Sequence, residues 1–468
     1  ALPIFCMIHL IPTEAKRFRT FGWVQDPSDF RSLCDVVAIF DETSLKHQEL
    51  AGQVIPALVE ERDGRQRLLD ALNQRPLRIS YTDLVGTSFT PRSAARCNGI
   101  VQAAVRGQVR PFIGDWPADN FVRWAHALGF LRYGYQGDAF ELTETGKALA
   151  QARTQGEELN SQEKELLTSA VLAYPPAVRI LSLLGEGEGA HLTKFELGKQ
   201  LGFVGEDGFT SLPQTVLVRS LASSKDAKEK NKMKTDWDGS SDKYARMIAK
   251  WLEKLGLVKQ EAKPVTVTLA GRKYTESIGQ SYVITGLGIT ALNRTLGKSR
   301  HKRIPKNVSF EMMATKGDDR EYLRTRRTCV LKAVSEGKGR VSYTEIQKYL
   351  EALGLQEDEA TIRDDVQGLA HIGLNIAAGE RECVWKDEIN DLILPVPKKL
   401  AKSSQSETKE KLREKLRNLP HEYLSLVDLA YDSKQNRLFE MKVIELLTEE
   451  CGFQGLHLGG SRRPDGVL

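Results

Sequence analysis

Lys243, Arg246 and Lys250 stand at i, i+3 and i+7 in the segment DKYARMIAKWLEKLG. On a helix this spacing gathers three cations on one side. Tyr244, Met247, Ile248, Trp251, Leu252 and Leu255 then form an apolar stripe on the other. A helix anchored by such a stripe and presenting a cationic ridge suits the DNA major groove: its first turn reaches base edges and the later cations meet phosphates. Every surface helix has a solvated charged face, so one helix alone does not decide the matter. Two further basic stretches add weight: Lys225, Lys228, Lys230, Lys232 and Lys234 before this helix, and Lys298, Arg300, Lys302, Arg303 and Lys306 after it. Each cation that neutralises a phosphate releases counterions and adds affinity without reading sequence. Both stretches are therefore read as backbone anchors.

Other chemistries find little support. The eight histidines show no HxH or HExxH spacing, and the six cysteines (Cys6, Cys34, Cys97, Cys329, Cys383, Cys451) form no CxxC pair. They read as reduced, mostly buried thiols of a cytoplasmic protein. The net charge of +5 and pI near 8.7 are only mildly basic, so the distribution of charge matters more than its sum. With 41% hydrophobic and 28% charged residues over 468 positions, the chain has material for about three domains on a prior of roughly 150 residues each. No stretch reaches the roughly 20 apolar residues of a membrane span, and no small-molecule substrate is indicated. The opening ALPIFCMIHLIP lacks the basic start and small-residue cleavage site of a signal peptide. Met7 as the true start, or a fragmentary record, accounts for the absence of an initiator methionine.

The elements that must position these cations recur three times. ISYTDL (Ile79–Leu84), HLTKFEL (His191–Leu197) and VSYTEI (Val341–Ile346) each lead with a hydroxyl residue into an acidic helix start. A second amphipathic helix follows: FVRWAHALGFLRY, DKYARMIAKWLEKLGLVKQ and DDVQGLAHIGLNI, stopped at Gly129, Gly256 and Gly373. Glycine after the last periodic residue ends a helix because it adopts the left-handed conformation cheaply. Runs consistent with a hairpin come next, such as Ala139–Gly146 and Ser281–Gly288. Helix, helix, hairpin is the order of a winged-helix module. The copies lie too far apart for a solenoid and read as separate domains. Such modules also bind proteins, and the third, with fewer basic residues on its second helix, reads as more structural.

Many segments in register resemble the FokI-type (type IIS) restriction endonucleases. They are RTFGWVQDP (Arg19–Pro27), RWAHALGF (Arg123–Phe130), YPPAVRIL (Tyr174–Leu181), HLTKFELGKQLGF (His191–Phe203), GFTSLP (Gly208–Pro213), GSSDKYARM (Gly239–Met247), PHEYLSLV (Pro420–Val427) and HLGGSRRPDG (His457–Gly466). The resemblance runs from Arg19 over nearly the whole chain. It implies a mainly α fold with small β-hairpins: three tandem winged-helix-like recognition domains, then the N-terminal part of an α/β PD-(D/E)xK nuclease domain. The expected bounds are an extension at 1–18, recognition domains at 19–155, 156–297 and 298–394, a linker at 395–405, and nuclease residues at 406–468.

The same resemblance assigns base-reading positions one at a time. Gln25 matches a glutamine, whose amide pairs bidentately with adenine. Asp26 stands where the family has asparagine and so loses its donors. Arg92 matches an arginine suited to guanine, and Gln108 and Trp116 also match, with a two-residue gap between them. Lys243 and Arg246 match in the middle module. Thr235 and Asp238 replace asparagine and glutamate. These departures point away from a GGATG target, within a short, asymmetric, G-rich site on double-stranded DNA.

Asp465, in Pro464-Asp465, matches the first nuclease carboxylate. The resemblance implies Mg2+ as cofactor, a hard cation that prefers carboxylate and water oxygens. Only Gly466, Val467 and Leu468 follow, so no downstream (D/E)xK is present, and the expectation is a chain that binds DNA but does not cut it alone. Glu440-Met441-Lys442 has the letters of that triplet but lies in an apolar-periodic helical run and is set aside. The tail is expected to be poorly packed for want of a partner layer, and open to proteolysis between about Pro395 and Ser404. The family also implies a transient homodimer of complete nuclease domains on DNA. A rival reading is a non-catalytic winged-helix DNA-binding regulator.

Overall fold

The three hydroxyl-led segments each cap a helix. Ser80 accepts from the backbone N–H of Asp83, and Thr193 and Ser342 form full capping boxes with Glu196 and Glu345. The device works because the first four N–H groups of a helix have no partner within it. The computed structural model describes residues 8–12, 21–86, 96–154, 156–187, 189–206, 209, 211–240, 242–298, 302–315, 317, 319–337, 339–396, 402–458 and 466–467. The chain divides into two compact units, one of residues 1–174, 304–312 and 388–399, the other of 175–303, 313–387 and 400–468.

In the first unit, β1 (Ile8–Pro12) pairs in parallel with β13 (Leu392–Val396). A loop over residues 21–29 leads to α1 (Phe30–Ala38), whose N-terminus Asp29 caps. The first module follows: β2 (Ile79–Ser80), α2 (Tyr81–Val85), α3 (Asp115–Ala127), β3 (Leu131–Gly134) and β4 (Ala139–Leu142). Its sheet has the order β2-β4-β3, antiparallel throughout. Phe21 sits edge-on to Phe140 and Tyr133, with ring centroids 5.3 and 5.0 Å apart. Trp23 donates its indole N–H to the Met312 carbonyl (2.9 Å), and the Tyr174 hydroxyl donates to the Gly22 carbonyl (2.6 Å). These bonds fix the loop that carries Gln25 and Asp26.

The second unit holds the middle module: β5 (His191–Thr193), α4 (Lys194–Lys199), α5 (Gln214–Ser223), α6 (Ala227–Ser240) and α7 (Lys243–Lys254). Strands β6 (Val258–Gln260), β7 (Lys263–Leu269), β8 (Arg272–Ile278) and β9 (Ser281–Ile284) complete it. The sheet order is β5-β9-β6, with β7 and β8 forming a separate antiparallel ribbon. The third module has α8 (Arg320–Glu336), β10 (Arg340–Ser342), α9 (Tyr343–Ala352), α10 (Glu359–His371), β11 (Ile376–Ala378) and β12 (Glu382–Trp385). Its sheet order is β10-β12-β11. All three modules thus place their first strand beside their last. Gly129, Gly256 and Gly373 follow α3, α7 and α10 with φ of +78°, +73° and +107°, the left-handed stop expected of them.

Two expectations about local structure are corrected. The runs Ala139–Gly146 and Ser281–Gly288 are not hairpins in themselves: each contains one strand and then starts a helix, capped by Thr143 or Thr285. The hydroxyl at the strand end satisfies a free helical N–H, which favours the helix start over a second strand. The tail, expected to be poorly packed, is packed. Its helices are α11 (Ser404–Lys415), α12 (Ser425–Ala430) and α13 (Asn436–Glu449), followed by the pair β14 (Leu456–His457) and β15 (Gly466–Val467). Met441 and Ile444 of α13 lie in one core with Val216, Leu217 and Leu221 of α5 and Val265, Val267 and Ile278 of the β7–β8 ribbon. The middle module supplies the partner layer. Pro395 and Val396 belong to β13, α11 begins at Ser404, and residues 397–401 fall outside the described residues. Among the described residues, no single helix is long and apolar enough to cross a membrane.

Candidate nucleic-acid interface

The apolar stripe of α7 is realised: Tyr244, Met247, Ile248, Trp251 and Leu252 are buried, and only Leu255 is half-buried. Anchoring that stripe leaves Lys243 and Lys250 exposed and Arg246 half-buried. Helix α6 ends at Ser240 and α7 starts at Lys243, so the two meet at a tight corner where Asp242 has φ +52°. There Asp238, exposed near the end of α6, meets Arg246 in the first turn of α7; Thr235, one turn earlier on α6, and Lys243, at the start of α7, are also exposed. The Arg246 guanidinium donates to the Asp238 carbonyl, and the Thr235 hydroxyl donates to the Asn231 carbonyl (2.9 Å). One acid, one hydroxyl and two cations share this corner, a mixture that can accept from and donate to base edges.

The lysine stretch at 225–234 proves to be mostly helix. Lys225, Lys228 and Lys232 are exposed and Lys230 half-buried, while Lys234 is tied to Glu276 on β8 at 2.6 Å. Lys234 therefore serves the fold as well as the surface. The second basic stretch needs a larger correction. Lys298 and Lys302 are exposed, but Lys306 is fully buried and donates to the Ile304 carbonyl (2.7 Å), so it is no backbone anchor. Arg303 donates to the Leu296 carbonyl at 3.1 Å, and Arg300 lies outside the described residues. A lysine count cannot distinguish these cases, because the fold around each side chain determines which ammonium is taken out of water.

In the first unit, Gln25 is half-buried and Asp26 exposed on the loop before α1, and Gln108 is exposed between helices. Trp116, in the first turn of α3, is 44% exposed. The Arg123 guanidinium lies 5.6 Å from its ring centroid and also pairs with Asp119, whose other oxygen accepts from the Tyr81 hydroxyl (2.6 Å). Stacking and pairing hold Trp116 in place from below. Arg92 and Asp465 lie outside the described residues.

Glu440, Met441 and Lys442 have structural roles. Glu440 bonds His457 at 3.0 Å, Met441 is core, and the buried Lys442 pairs with Glu445 at 2.7 Å. Among the described residues, no group of three or more His, Cys, Asp or Glu side chains is arranged to hold a metal ion. Cys34, Cys97, Cys329 and Cys383 are buried free thiols, pushed up to about 12, 11, 12 and 11 by burial, and Cys451 is exposed and free. Sequence reasoning missed the neighbourhood of Lys194. This residue is fully buried under the α6–α7 corner, and no periodicity signal marks it.

Known proteins share this sequence and fold. Residues 19–152 match the family profile described as FokI, recognition domain, subdomain 1; 163–300 match subdomain 2; 313–381 match the FokI D3 domain; and 402–468 match the FokI cleavage domain. The type II restriction enzyme FokI of Planomicrobium okeanokoites is 43% identical over 459 residues, which cover 97% of this chain and 78% of that protein. The chain belongs to the FokI family of restriction endonucleases. The type II restriction enzyme StsI of Streptococcus sanguinis is 34% identical over 463 residues, 96% of this chain and 76% of that protein. The structure of FokI bound to DNA superposes with a TM-score of 0.87 at 43% identity, covering 96% of this chain and 78% of that one. A second FokI structure gives 0.86. The FokI family is one of type IIS site-specific endonucleases, in which recognition and cleavage lie on different domains. The match at 402–468 to a cleavage domain does not favour the regulator reading.

Proposed function

We propose that this FokI-family chain reads a specific site in double-stranded DNA so that the enzyme cleaves phosphodiester bonds at a distance from it. The observation that carries this reading is the α6–α7 corner, where Arg246 meets Asp238 and Lys243 and Lys250 stay exposed opposite a buried apolar stripe; Thr235, Asp238, Lys243 and Arg246 are its proposed reading set. The modules are read as winged-helix-like, which the shared pairing of the first strand with the last supports, with the second helix of the first two modules as the reading element and the third module more structural. Gln25, Asp26, Arg92, Gln108 and Trp116 form the reading set of the first unit in this proposal. Trp116 contributes an apolar face, and the amides and arginine contribute paired hydrogen bonds.

Asp465, just ahead of β15, is proposed as a carboxylate ligand for Mg2+ in the nuclease domain, in keeping with the preference of a hard cation for oxygen. When bound, the ion would supply charge stabilisation at the scissile phosphate. Pairing of two nuclease domains on DNA is proposed for cutting the second strand. The test of the reading is site selection from a random duplex pool by the purified full chain. A single enriched motif is expected, and Asp238→Ala and Arg246→Ala should each degrade a different position of it. An unenriched pool would refute the reading.

A further inference from the structure

Helix α6 ends at Ser240, so Trp237 and Asp238 fall among its last four residues, whose carbonyls have no partner within the helix. Two cations meet them. The Lys194 ammonium donates to the Trp237 carbonyl, and the Arg246 guanidinium donates to that of Asp238. Cations at a helix C-terminus also meet the negative end of its dipole. The two differ in their freedom. Arg246 is half-buried on α7 and available to a duplex, whereas Lys194 is 0% exposed and anchored in the first turn of α4.

An ammonium is costly to take out of water, and only specific partners offset that cost. Here the polar partners belong to the corner. The Asp238 carboxylate lies 3.9 Å away, and the Phe195 ring centroid 5.0 Å away. Trp237 packs edge-on against Phe195, with centroids 6.2 Å apart. On the other side, α4 approaches the start of α7 so closely at Gly198 that a Cβ there would collide with the Asp242 carboxylate. Helix α4 is thus the common support of both arms, and Lys194 is its polar contact with the α6 end. A methionine would fill the same space without the charge cost, so the cation marks a task beyond packing.

We propose that Lys194 is a positioning residue for base reading: it caps the end of α6 and keeps Thr235 and Asp238 in register with Lys243 and Arg246, including when Arg246 leaves the Asp238 carbonyl for DNA. This rests on the DNA-reading role proposed above. Burial lowers the Lys194 ammonium to about 8, with Asp238 and Asp242 opposing the shift and Arg246 adding to it, so the group is still charged at neutral pH. Lys194 touches no base in this scheme and acts through the corner alone.

The test is site selection from random duplexes with the full-length chain, comparing the parent, Lys194→Met, Lys194→Arg, Asp238→Ala and Arg246→Ala. The alanine variants identify which positions of the motif the corner reads. Lys194→Met is expected to lower discrimination at those positions by about tenfold, comparable to losing one bidentate contact. Positions read by the first unit, which also report that the variant is folded, should keep their preference. Lys194→Arg, which keeps a capping cation, should hold more of the corner's preference than methionine does. Unchanged corner positions in Lys194→Met would overturn the inference while leaving the reading intact, as would an even loss at all positions with a lowered melting temperature. A parent chain that selects nothing would overturn both.

Discussion

Arg246 has two claims on it: the Asp238 carbonyl in the free protein and, in the proposed complex, a base edge. Losing it should cost discrimination at one base pair, by about 1–3 kcal/mol when competitor duplexes are titrated. Lys250, one turn further along and exposed, should behave differently. Lys250→Ala is expected to weaken all duplexes alike and to reduce the salt slope by about 1, measured by anisotropy at several salt concentrations. Lys194 gives a pH signature. Its folded value of about 8 lies below the ordinary 10.5, so between those values the unfolded chain holds more of this proton. Stability should therefore rise with pH across that window, and Lys194→Met should flatten the rise in denaturant melts recorded from pH 7 to 10.5. A parent and variant with parallel profiles would show that Lys194 is not buried as a cation. The α7 ridge was legible in sequence because its spacing is local. Lys194 and Lys306 were not, since what removes each from solvent is the fold around it: for Lys194, a carbonyl 43 residues away.

At the scale of elements, the capping boxes and terminal glycines were readable because each is a local arrangement of a few residues. The β7–β8 ribbon inserted between β6 and β9 was not, since its alternation resembles any hairpin and only pairing reveals which strands share a sheet. The same limit hid the Arg-rich start of α8. Arg326 and Arg327 look like a surface patch in the string RTRR, yet both are buried on Asp365 of α10, at 2.7 and 3.1 Å, and Arg327 also pairs with Glu206 at 2.8 Å. The two guanidiniums hold the Asp365 carboxyl below the usual carboxylate range despite its burial. Asp365→Asn leaves buried cations short of charge and should destabilise the second unit by about 3–5 kcal/mol in urea melts. Because a depressed carboxyl favours folding while ionised, this contribution is present above the ordinary value near 3.8 and is lost as pH falls through the lower folded value. A variant as stable as the parent would show that the ion cluster is replaceable.

Across the whole molecule, the segments resembling the FokI family pointed to its recognition and cleavage parts, and kinship at 43% identity over 97% of the chain places the protein in that family. What sequence reasoning got wrong was the tail, because it weighed the nuclease segment by itself. Apolar residues of α13 that lacked a partner layer in sequence find one in α5 and the β7–β8 ribbon. Met441→Ala should therefore lower the stability of the second unit by about 2–5 kcal/mol, as for a core position, with the loss read in urea melts. The central claim is that the cationic surface around α6 and α7 lies against a duplex, and the salt dependence of binding tests it most directly. Titrating the purified chain with its selected duplex and with a scrambled one should give log affinity falling linearly with log salt for both, the selected duplex staying tighter throughout. Association that is absent, or indifferent to salt, would contradict the account.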